Sequence, residues 1–244
     1  MPSQLPAPEI LLEQGACLLI NKPGGLLTQA PPGIDSLETR IKQHLKIRDE
    51  KPGKVYVGVP HRLDRPVSGV MVFTKNIRAS QRLAAQFRER TVKKTYWAIV
   101  DGYLDCDQGT WENWMRKLPD QAKSEIVPAD HPDAQKAILH YKVQERKNGR
   151  TWLQIQLETG RTHQIRLQAS HHQHPILGDA MYESKSVFGP QTVDLRKRWI
   201  ALHSRCLQFD HPILKQSVSQ TAALPEAWNA LAFDFEEPPL SDNA

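Results

Sequence analysis

The chain has few cysteines and no long apolar segment, and these absences exclude several classes of protein. Its 244 residues include three cysteines, Cys17, Cys106 and Cys206, which lie far apart in the sequence. They form neither a disulfide framework nor a pair with metal-ligand spacing, and such usage suits a reducing cytoplasm. No apolar run approaches the roughly 18 residues of a membrane span, and residues 1–8 lack the regions of a secretory signal. We therefore expect a cytoplasmic, monomeric protein without a membrane partner.

Several common catalytic motifs are also missing. Gly24 and Gly25 are not followed by the Lys and Ser/Thr of a phosphate-binding loop, and no Gly-x-Ser-x-Gly elbow is present. His171, His172 and His174 stand close together, but only Asp179 lies near them in sequence. Histidine ligands normally need orienting partners and a nearby carboxylate or thiolate. We expect no metal site here, although a metal-dependent hydrolase built on these histidines stays a second hypothesis.

Positive charge is present in excess and is concentrated in one segment. The net charge is +5, and hydrophobic and charged residues make up 39% and 24% of the chain, as in a globular protein. Between residues 75 and 94 a single acid, Glu89, stands against seven basic residues: Lys75, Arg78, Arg82, Arg88, Arg90, Lys93 and Lys94. This distribution favours an anionic partner such as nucleic acid. The alternative is a merely solvated helix face.

Four segments have the residue pattern of helices. They are residues 37–47, with Ser36 as the N-cap, and residues 77–90, 162–170 and 225–231. In helix 77–90 the apolar residues Ala79, Leu83, Ala84 and Phe87 are expected on one side, and Arg78, Arg82 and Arg88 on the other. The basic face is therefore predicted to be exposed.

Segments rich in strand-forming residues outnumber the helices. Strands are predicted at residues 16–20, 95–100, 137–144, 151–158 and 200–209, whereas residues 104–135 read as irregular loops. Asn148-Gly149 is typical of a tight hairpin turn. The pattern predicts an α+β domain over residues 10–235, with a central mixed, mostly antiparallel sheet flanked by helices and loops. Residues 236–244 are predicted to be a mobile acidic tail.

The most informative segment runs from His61 to Gly69 and leads into the apolar residues 70–73, which are predicted to form a buried strand. Its Asp64 stands between two arginines, Arg62 and Arg65. Nearby positive charge favours the ionised form of a carboxyl group, which can act as a nucleophile or stabilise charge. The alternative is that Asp64 only forms a structural salt bridge with one of the two arginines.

A second polar segment covers residues 157–166, at a predicted strand-to-helix corner. If residues 162–169 are helical, His163 and Arg166 lie three positions apart on one face. Arginine at a helix start suits a phosphate or carboxylate, because its guanidinium donates two parallel hydrogen bonds. The alternative is an ordinary surface cluster of ion pairs.

Taken together, these segments resemble the RluA-type family of pseudouridine synthases. The matching pieces, in chain order, are Ile20–Gly25, His61–Asp64 with Ser68-Gly69, Lys94–Ala98, Thr159–Arg166, His174–Asp179 with Tyr182, and Leu202-His203 with Leu207–Pro212. The resemblance extends from about residue 17 to about residue 212. We expect target recognition to come from this catalytic domain, its loops and helix 77–90.

The resemblance implies isomerisation of uridine within ribosomal or transfer RNA. Neither a cofactor nor a metal is needed, because the reaction adds and removes no atoms. Asp64 matches the catalytic carboxylate, Tyr96 the tyrosine that stacks on the base and assists proton removal at C5, and Arg166 the partner of Asp64. Arg62 matches the arginine that replaces the flipped nucleotide in its stack. The other residues expected to contact RNA are Arg65, Arg78, Arg82, Arg88, Arg161, His163 and Gln164.

One position departs from the family pattern, and one alternative function stays open. Val67 stands where the family usually has threonine, so a hydroxyl group is missing two residues before Gly69. The alternative is an RNA-binding module of the same fold that has lost catalysis. The presence of Asp64, Tyr96 and Arg166 argues against it, because a simple binder gains nothing from a carboxylate in a cleft for anionic RNA.

Overall fold

Ten strands form one continuous sheet in the computed structural model, which describes residues 5–236. They are β1 Glu9–Gln14, β2 Cys17–Lys22, β3 Ser68–Thr74, β4 Lys93–Asp101, β5 Gln108–Lys117, β6 Ser124–Ile126, β7 Gln135–Lys147, β8 Arg150–Leu157, β9 Leu202–Asp210 and β10 Ser217–Thr221. The spatial order is β1-β2-β3-β9-β4-β8-β7-β5-β6, and β10 pairs with β9. Among these pairs only β3 and β9 run parallel. The predicted α+β class with a mixed, mostly antiparallel sheet is confirmed.

Three α-helices accompany the sheet within the described residues, and two have side-chain caps, of which Ser36 was predicted. They are α1 Leu37–Arg48, α2 Ile77–Glu89 and α3 Gln164–His171. The Ser36 hydroxyl accepts a hydrogen bond from the Thr39 N–H, and Asn76 caps α2 in the same way through Ala79. The helix predicted at 225–231 is a 3₁₀ helix over Glu226–Leu231.

The prediction of loops over residues 104–135 is wrong. Strand β5 pairs with β7 from Gln108↔Lys142 to Met115↔Gln135, and β6 follows it at the sheet edge. The buried Trp111 and Met115 lie on one face of β5, but Trp114 interrupts the alternation of apolar and polar residues in the sequence. Strands β1 and β10 were not expected either, since both are short strands at sheet edges with mostly partly exposed residues.

A close junction between β3 and β9 holds the chain where the segment containing Asp64 enters the sheet. The parallel pairing joins Ser68 to His203 and Gly69 to Ser204. Gly69 has φ +117°, and a β-carbon there would collide with the Ser204 backbone, so the junction requires glycine. Val67 is buried in the adjacent core, where its side chain contributes apolar contacts in place of the missing hydroxyl.

Two further predictions concern the C-terminal tail and membrane-spanning helices. Apart from Glu236, the tail predicted at 236–244 lies outside the described residues. None of the helices within residues 5–236 combines the length and the apolar character needed to cross a bilayer.

Candidate active site

Asp64 lies in a turn whose backbone is fixed from several directions. The Val67 N–H donates to the Asp64 carbonyl oxygen at 3.1 Å, closing the turn. Just before it, the Thr28 hydroxyl donates to the Leu63 carbonyl oxygen at 2.8 Å and accepts from the Leu63 N–H. The buried Lys22 ammonium donates to the Arg65 carbonyl oxygen at 3.2 Å. The Asp64 side chain, 19% exposed, is therefore presented to solvent from a rigid support.

The charged partners of Asp64 come from α3 and its N-terminus. Asp64 Oδ2 lies 3.3 Å from Arg166 Nη1 and 3.6 Å from His163 Nε2. Arg65 turns away, since its Nε donates to the Gly25 carbonyl oxygen, and Arg62 is exposed at the cleft. Asp64 thus forms no salt bridge with either neighbour in sequence, and the structure excludes that alternative. The expected pairing of Asp64 with Arg166 is present.

A second carboxylate, Asp179, which was noted in the sequence only for its place near the histidines, lies behind Arg166. Arg166 Nε and Nη2 donate to the two oxygens of Asp179 at 2.6 and 2.8 Å, and the residues are only 4% and 2% exposed. Burial disfavours the charged guanidinium, but the bonds to Asp179 and the charges of Asp179 and Asp64 raise the pKa of Arg166. Asp179 therefore holds the guanidinium so that Nη1 faces Asp64.

Hydrogen bonds assign the tautomer of His163. The Ser124 N–H donates to Tyr182 Oη at 2.9 Å, and Tyr182 Oη lies 3.0 Å from His163 Nδ1. Because the Asp64 carboxylate beside Nε2 can only accept, the ring carries its hydrogen on Nε2, and Nδ1 accepts from the Tyr182 hydroxyl. Burial lowers the pKa of His163, so the neutral imidazole dominates at neutral pH.

Tyr96 lies on β4 with its ring at the cleft, as the resemblance implies for a base-stacking residue. It is 7% exposed, and Leu202 from β9 lines the same cavity. Burial raises the pKa of the Tyr96 phenol, the charge of Asp64 raises it further, and a hydrogen bond with Ser204 opposes the shift. The phenol is therefore protonated at neutral pH and is a poor proton acceptor.

These side chains border one open cleft with a volume of about 580 Å³, within the usual range for ligand sites. Its lining contains two carboxylates, Asp64 and Glu158, and six cations: Arg62, Arg88, Arg90, Lys94, Arg161 and Arg166. Part of the basic segment noted in the sequence, namely Arg88, Arg90 and Lys94, thus lies in the cleft that contains Asp64. Arg90 and Lys94 were not singled out as contacts by the sequence analysis, although both belong to the basic segment it noted.

Arg78, Arg82 and Arg88 are exposed on the side of α2 away from the buried Ala79 and Leu83, as predicted, but they reach different surroundings. Arg88 lines the cleft, whereas Arg82 Nη1 donates to the Pro212 carbonyl oxygen and Arg78 borders a separate depression beside His211. At about 100° per residue, Arg88 lies roughly 120° around the helix from Arg82. Only Arg88 is therefore placed to contact a molecule bound at Asp64.

Two other residues expected to contact RNA are engaged within the protein. Gln164 is buried; its Oε1 accepts from the Thr159 hydroxyl at 2.8 Å and from the Arg161 N–H at 3.0 Å. It supports the loop before α3, and its contact with RNA stays a prediction. Arg65 lies in a different depression, beside Lys197 and Trp199.

The histidines after α3 make internal contacts. The His172 ring stacks on Trp111 with centroids 4.8 Å apart, and His174 Nδ1 lies 3.1 Å from the Asp101 carbonyl oxygen. In the part of the chain that the structure describes, no three His, Cys, Asp or Glu side chains are grouped to hold a metal ion. The metal-dependent hydrolase hypothesis therefore finds no ligand set among these residues.

Comparison with known proteins identifies the family of the chain. Residues 16–171 match the family model described as RNA pseudouridylate synthase. The chain is 34% identical over 233 residues to the ribosomal large subunit pseudouridine synthase D of Xanthomonas campestris, covering 92% of this chain and 68% of that protein. It is 33% identical over 226 residues to an uncharacterized RNA pseudouridine synthase of Synechocystis, covering 91% of this chain and 67% of the relative.

A solved structure shows the same fold. Human RNA Pseudouridylate Synthase Domain Containing 4 superposes with a TM-score of 0.72 at 24% identity, covering 89% of each chain. The family match and the identity to the curated relatives go further than the fold, because they extend over the segments that carry Asp64, Tyr96 and Arg166. The chain therefore belongs to the RNA pseudouridine synthases of the RluA type and is an isomerase.

Proposed function

We propose that this enzyme isomerises uridine in ribosomal RNA, with Asp64 as the catalytic carboxylate. The observation that carries the proposal is the position of Asp64, 3.3 Å from Arg166 Nη1 and 3.6 Å from His163 Nε2, in a cleft lined by cations. Relatives named as ribosomal large subunit pseudouridine synthases support ribosomal rather than transfer RNA as the substrate.

The reaction breaks the bond between C1′ and N1, turns the uracil and joins C5 to C1′. The proton on C5 leaves and N1 gains a proton, so the product is an isomer of uridine. The Asp64 carboxylate either attacks C1′ or takes a proton from the sugar on a glycal route. Arg166 Nη1 and the Nε2–H of His163 face the same oxygen of Asp64 and orient it.

The target nucleotide must leave its stack to reach Asp64, at a cost of a few kcal/mol. Tyr96 provides a flat surface for the extruded uracil, and the exposed Arg62 fills the vacated place in the RNA. The raised pKa of Tyr96 leads us to assign it this stacking role rather than the removal of the C5 proton.

Loss of the C5 proton supplies a direct assay. Ribosomal and transfer RNA transcripts labelled with tritium at uridine C5 are incubated with the wild-type enzyme, with Asp64→Asn, and with Asp105→Asn, an exposed carboxylate outside the cleft. We expect tritium release from ribosomal RNA with wild type and Asp105→Asn, and none with Asp64→Asn. The Asp64→Asn variant should still bind RNA, because removing an anion does not weaken attraction to phosphate.

Two results would overturn parts of the proposal. Release by Asp64→Asn at nearly the wild-type rate would remove Asp64 from the catalytic role. Release from transfer RNA alone would show that the substrate class is wrong.

A further inference from the structure

Three cations meet at one end of the cleft, and the structure supplies almost no negative charge for them. Arg90 follows the last turn of α2, Lys94 lies near the start of β4, and Arg161 is in the loop before α3. All three line the cavity that contains Asp64. Glu158 is the one carboxylate beside them in that lining.

Lys94 is the most unusual member of this cationic cluster, by which we mean Arg90, Lys94 and Arg161. Its side chain is partly buried, and within residues 5–236 it makes no hydrogen bond or ion pair with another residue. The ammonium lies close to the next loop, since a β-carbon on Gly160 would be 3.5 Å from Lys94 Nζ. Burial and the charge of Arg90 lower the pKa of Lys94. An unpartnered, partly desolvated ammonium is costly to maintain unless an anion binds there.

The two arginines are positioned without being neutralised. Arg161 donates from Nε to the Lys136 carbonyl oxygen and from Nη1 to Gln135 Oε1, both at 3.0 Å, and these acceptors are uncharged. Arg90 Nη1 approaches Glu158 only to 4.0 Å, and the same carboxylate lies 3.6 Å from His140. The cationic cluster therefore keeps a net positive charge facing the cleft.

The position of this cluster relative to Tyr96 indicates which anion it fits. Lys94 and Tyr96 are two residues apart on β4 and both line the cleft, so their Cα atoms are separated by about 7 Å along the strand. A nucleotide whose base rests on Tyr96 and whose sugar reaches Asp64 carries its phosphates at the edge of the same cavity. We propose that Lys94, with Arg90 and Arg161, binds an RNA backbone phosphate adjacent to the flipped uridine. This inference rests on the proposed function and names the contact that holds the extruded nucleotide.

The chain offers a matched control for Lys94. Lys93 is the preceding residue on β4, is exposed, and does not line the cleft. Lys94→Gln and Lys93→Gln therefore make the same change in charge on opposite faces of one strand. Loss of a charge-assisted hydrogen bond should raise KM for ribosomal RNA about tenfold in Lys94→Gln, with kcat within about twofold. Lys93→Gln should leave both values close to wild type.

Binding measurements then test for the phosphate itself. The probe is a single-stranded 12-mer RNA with one uridine, made with a neutral methylphosphonate at each backbone position in turn. We expect one position beside the uridine to weaken binding to wild type and Lys93→Gln, and to weaken binding to Lys94→Gln less, because only Arg90 and Arg161 remain at that phosphate. The slope of log affinity against log salt should also fall by about 0.7 in Lys94→Gln.

The possible outcomes separate this inference from the proposed function. Equal affinities and salt slopes for Lys94→Gln and Lys93→Gln would overturn the phosphate site, as would a methylphosphonate effect in Lys94→Gln as large as in wild type. The binding arm needs no turnover. A wild-type enzyme that released no tritium from ribosomal RNA would therefore overturn the proposed substrate while the phosphate test still gave its answer.

Discussion

The floor and the rim of the cleft differ in how their charged side chains are balanced. The floor comprises Asp64, His163 and Arg166, with Asp179 and Tyr182 behind them, and each of these side chains has a defined partner. The rim comprises Arg88, Arg90, Lys94 and Arg161, where cations outnumber nearby acids. Paired, buried charges fix geometry, whereas an excess of positive charge at an edge attracts a mobile anion. We therefore expect substitutions at the floor to reduce the rate of isomerisation, and substitutions at the rim to reduce the affinity for RNA.

The largest effect is expected at the centre of the floor. Arg166→Ala leaves Asp64 and the buried Asp179 without their shared partner, and breaking a buried pair costs about 3–5 kcal/mol. We expect turnover under single-turnover conditions to fall by about three orders of magnitude. Arg166→Lys should lose less, because it keeps the charge but not the two-pronged contact with Asp179.

Folding must be monitored in both Arg166 variants, since the same contacts support the structure. Urea unfolding identifies the fraction that is folded, and the rate is expressed per folded enzyme. Equal single-turnover rates for wild type and folded Arg166→Ala would contradict the assignment of Arg166 as the partner of Asp64.

Histidines beneath and beside the cleft predict a loss of stability in acid. Burial lowers the pKa of His61 to about 3 and that of His203 to about 4, so both stay neutral in the folded protein well below the ordinary value near 6.5. The unfolded chain takes up these protons first, and the stabilisation present above about pH 6.5 is lost as the pH falls towards 4. The unfolding free energy should decline by up to about 1.4 kcal/mol per pH unit for each histidine.

Burial and the charge of Arg205 lower the pKa of His203, the bond to Ala222 opposes that shift, and hydrogen bonds fix the tautomer of the neutral ring. Its Nε2 lies 3.2 Å from the Ala222 carbonyl oxygen and must donate to it, so Nδ1 accepts from the Ser68 hydroxyl at 2.8 Å. Urea titrations at several pH values measure the slope. A slope unchanged in His61→Asn, relative to wild type, would show that His61 does not contribute to it.

A smaller effect on turnover is expected from Tyr182→Phe. The change removes the hydroxyl that orients His163 but keeps the ring, over which the Arg166 guanidinium lies at 5.1 Å. We expect kcat to fall about tenfold with KM unchanged, corresponding to one lost hydrogen bond. Tyr103→Phe is the matched control, because the exposed Tyr103 hydroxyl also accepts a backbone N–H, from Gly149 at 2.9 Å. A similar kcat for the two variants would contradict the orienting role.

The smallest effects are expected from substitutions of the arginines on α2. These variants distinguish Arg88, which belongs to the rim, from the other arginines of the helix. Arg88→Gln should weaken RNA binding about threefold and reduce the salt slope by about 0.7. Arg82→Gln and Arg78→Gln should leave affinity nearly unchanged, because these side chains lie away from the cleft. Equal losses in all three variants would mean that bound RNA continues along α2 past residues 211–214.

Much of the fold could be predicted where the signal is local. Ser36 and the spacing of Leu37, Ile41 and Leu45 predicted α1, and the buried run after Gly69 predicted β3, since both patterns lie within a dozen residues. Strands β5 and β6 were missed because their regularity comes from pairing with β7 rather than from their own sequence. Edge strands β1 and β10 were missed because they too are defined by pairing, with β2 and β9, and are short and partly exposed.

In the candidate site, too, only the features carried by short segments could be predicted. Short motifs carry Asp64 and Arg166, so the residue pattern was enough to identify the family, the candidate carboxylate and its partner. Only the tertiary structure brought Asp179 behind Arg166, turned Arg65 away from Asp64, and gathered Arg90, Lys94 and Arg161 at one end of the cleft. These relations join residues far apart in the chain, and the order of strands in the sheet sets the distances between them. No local pattern of residues encodes such distances.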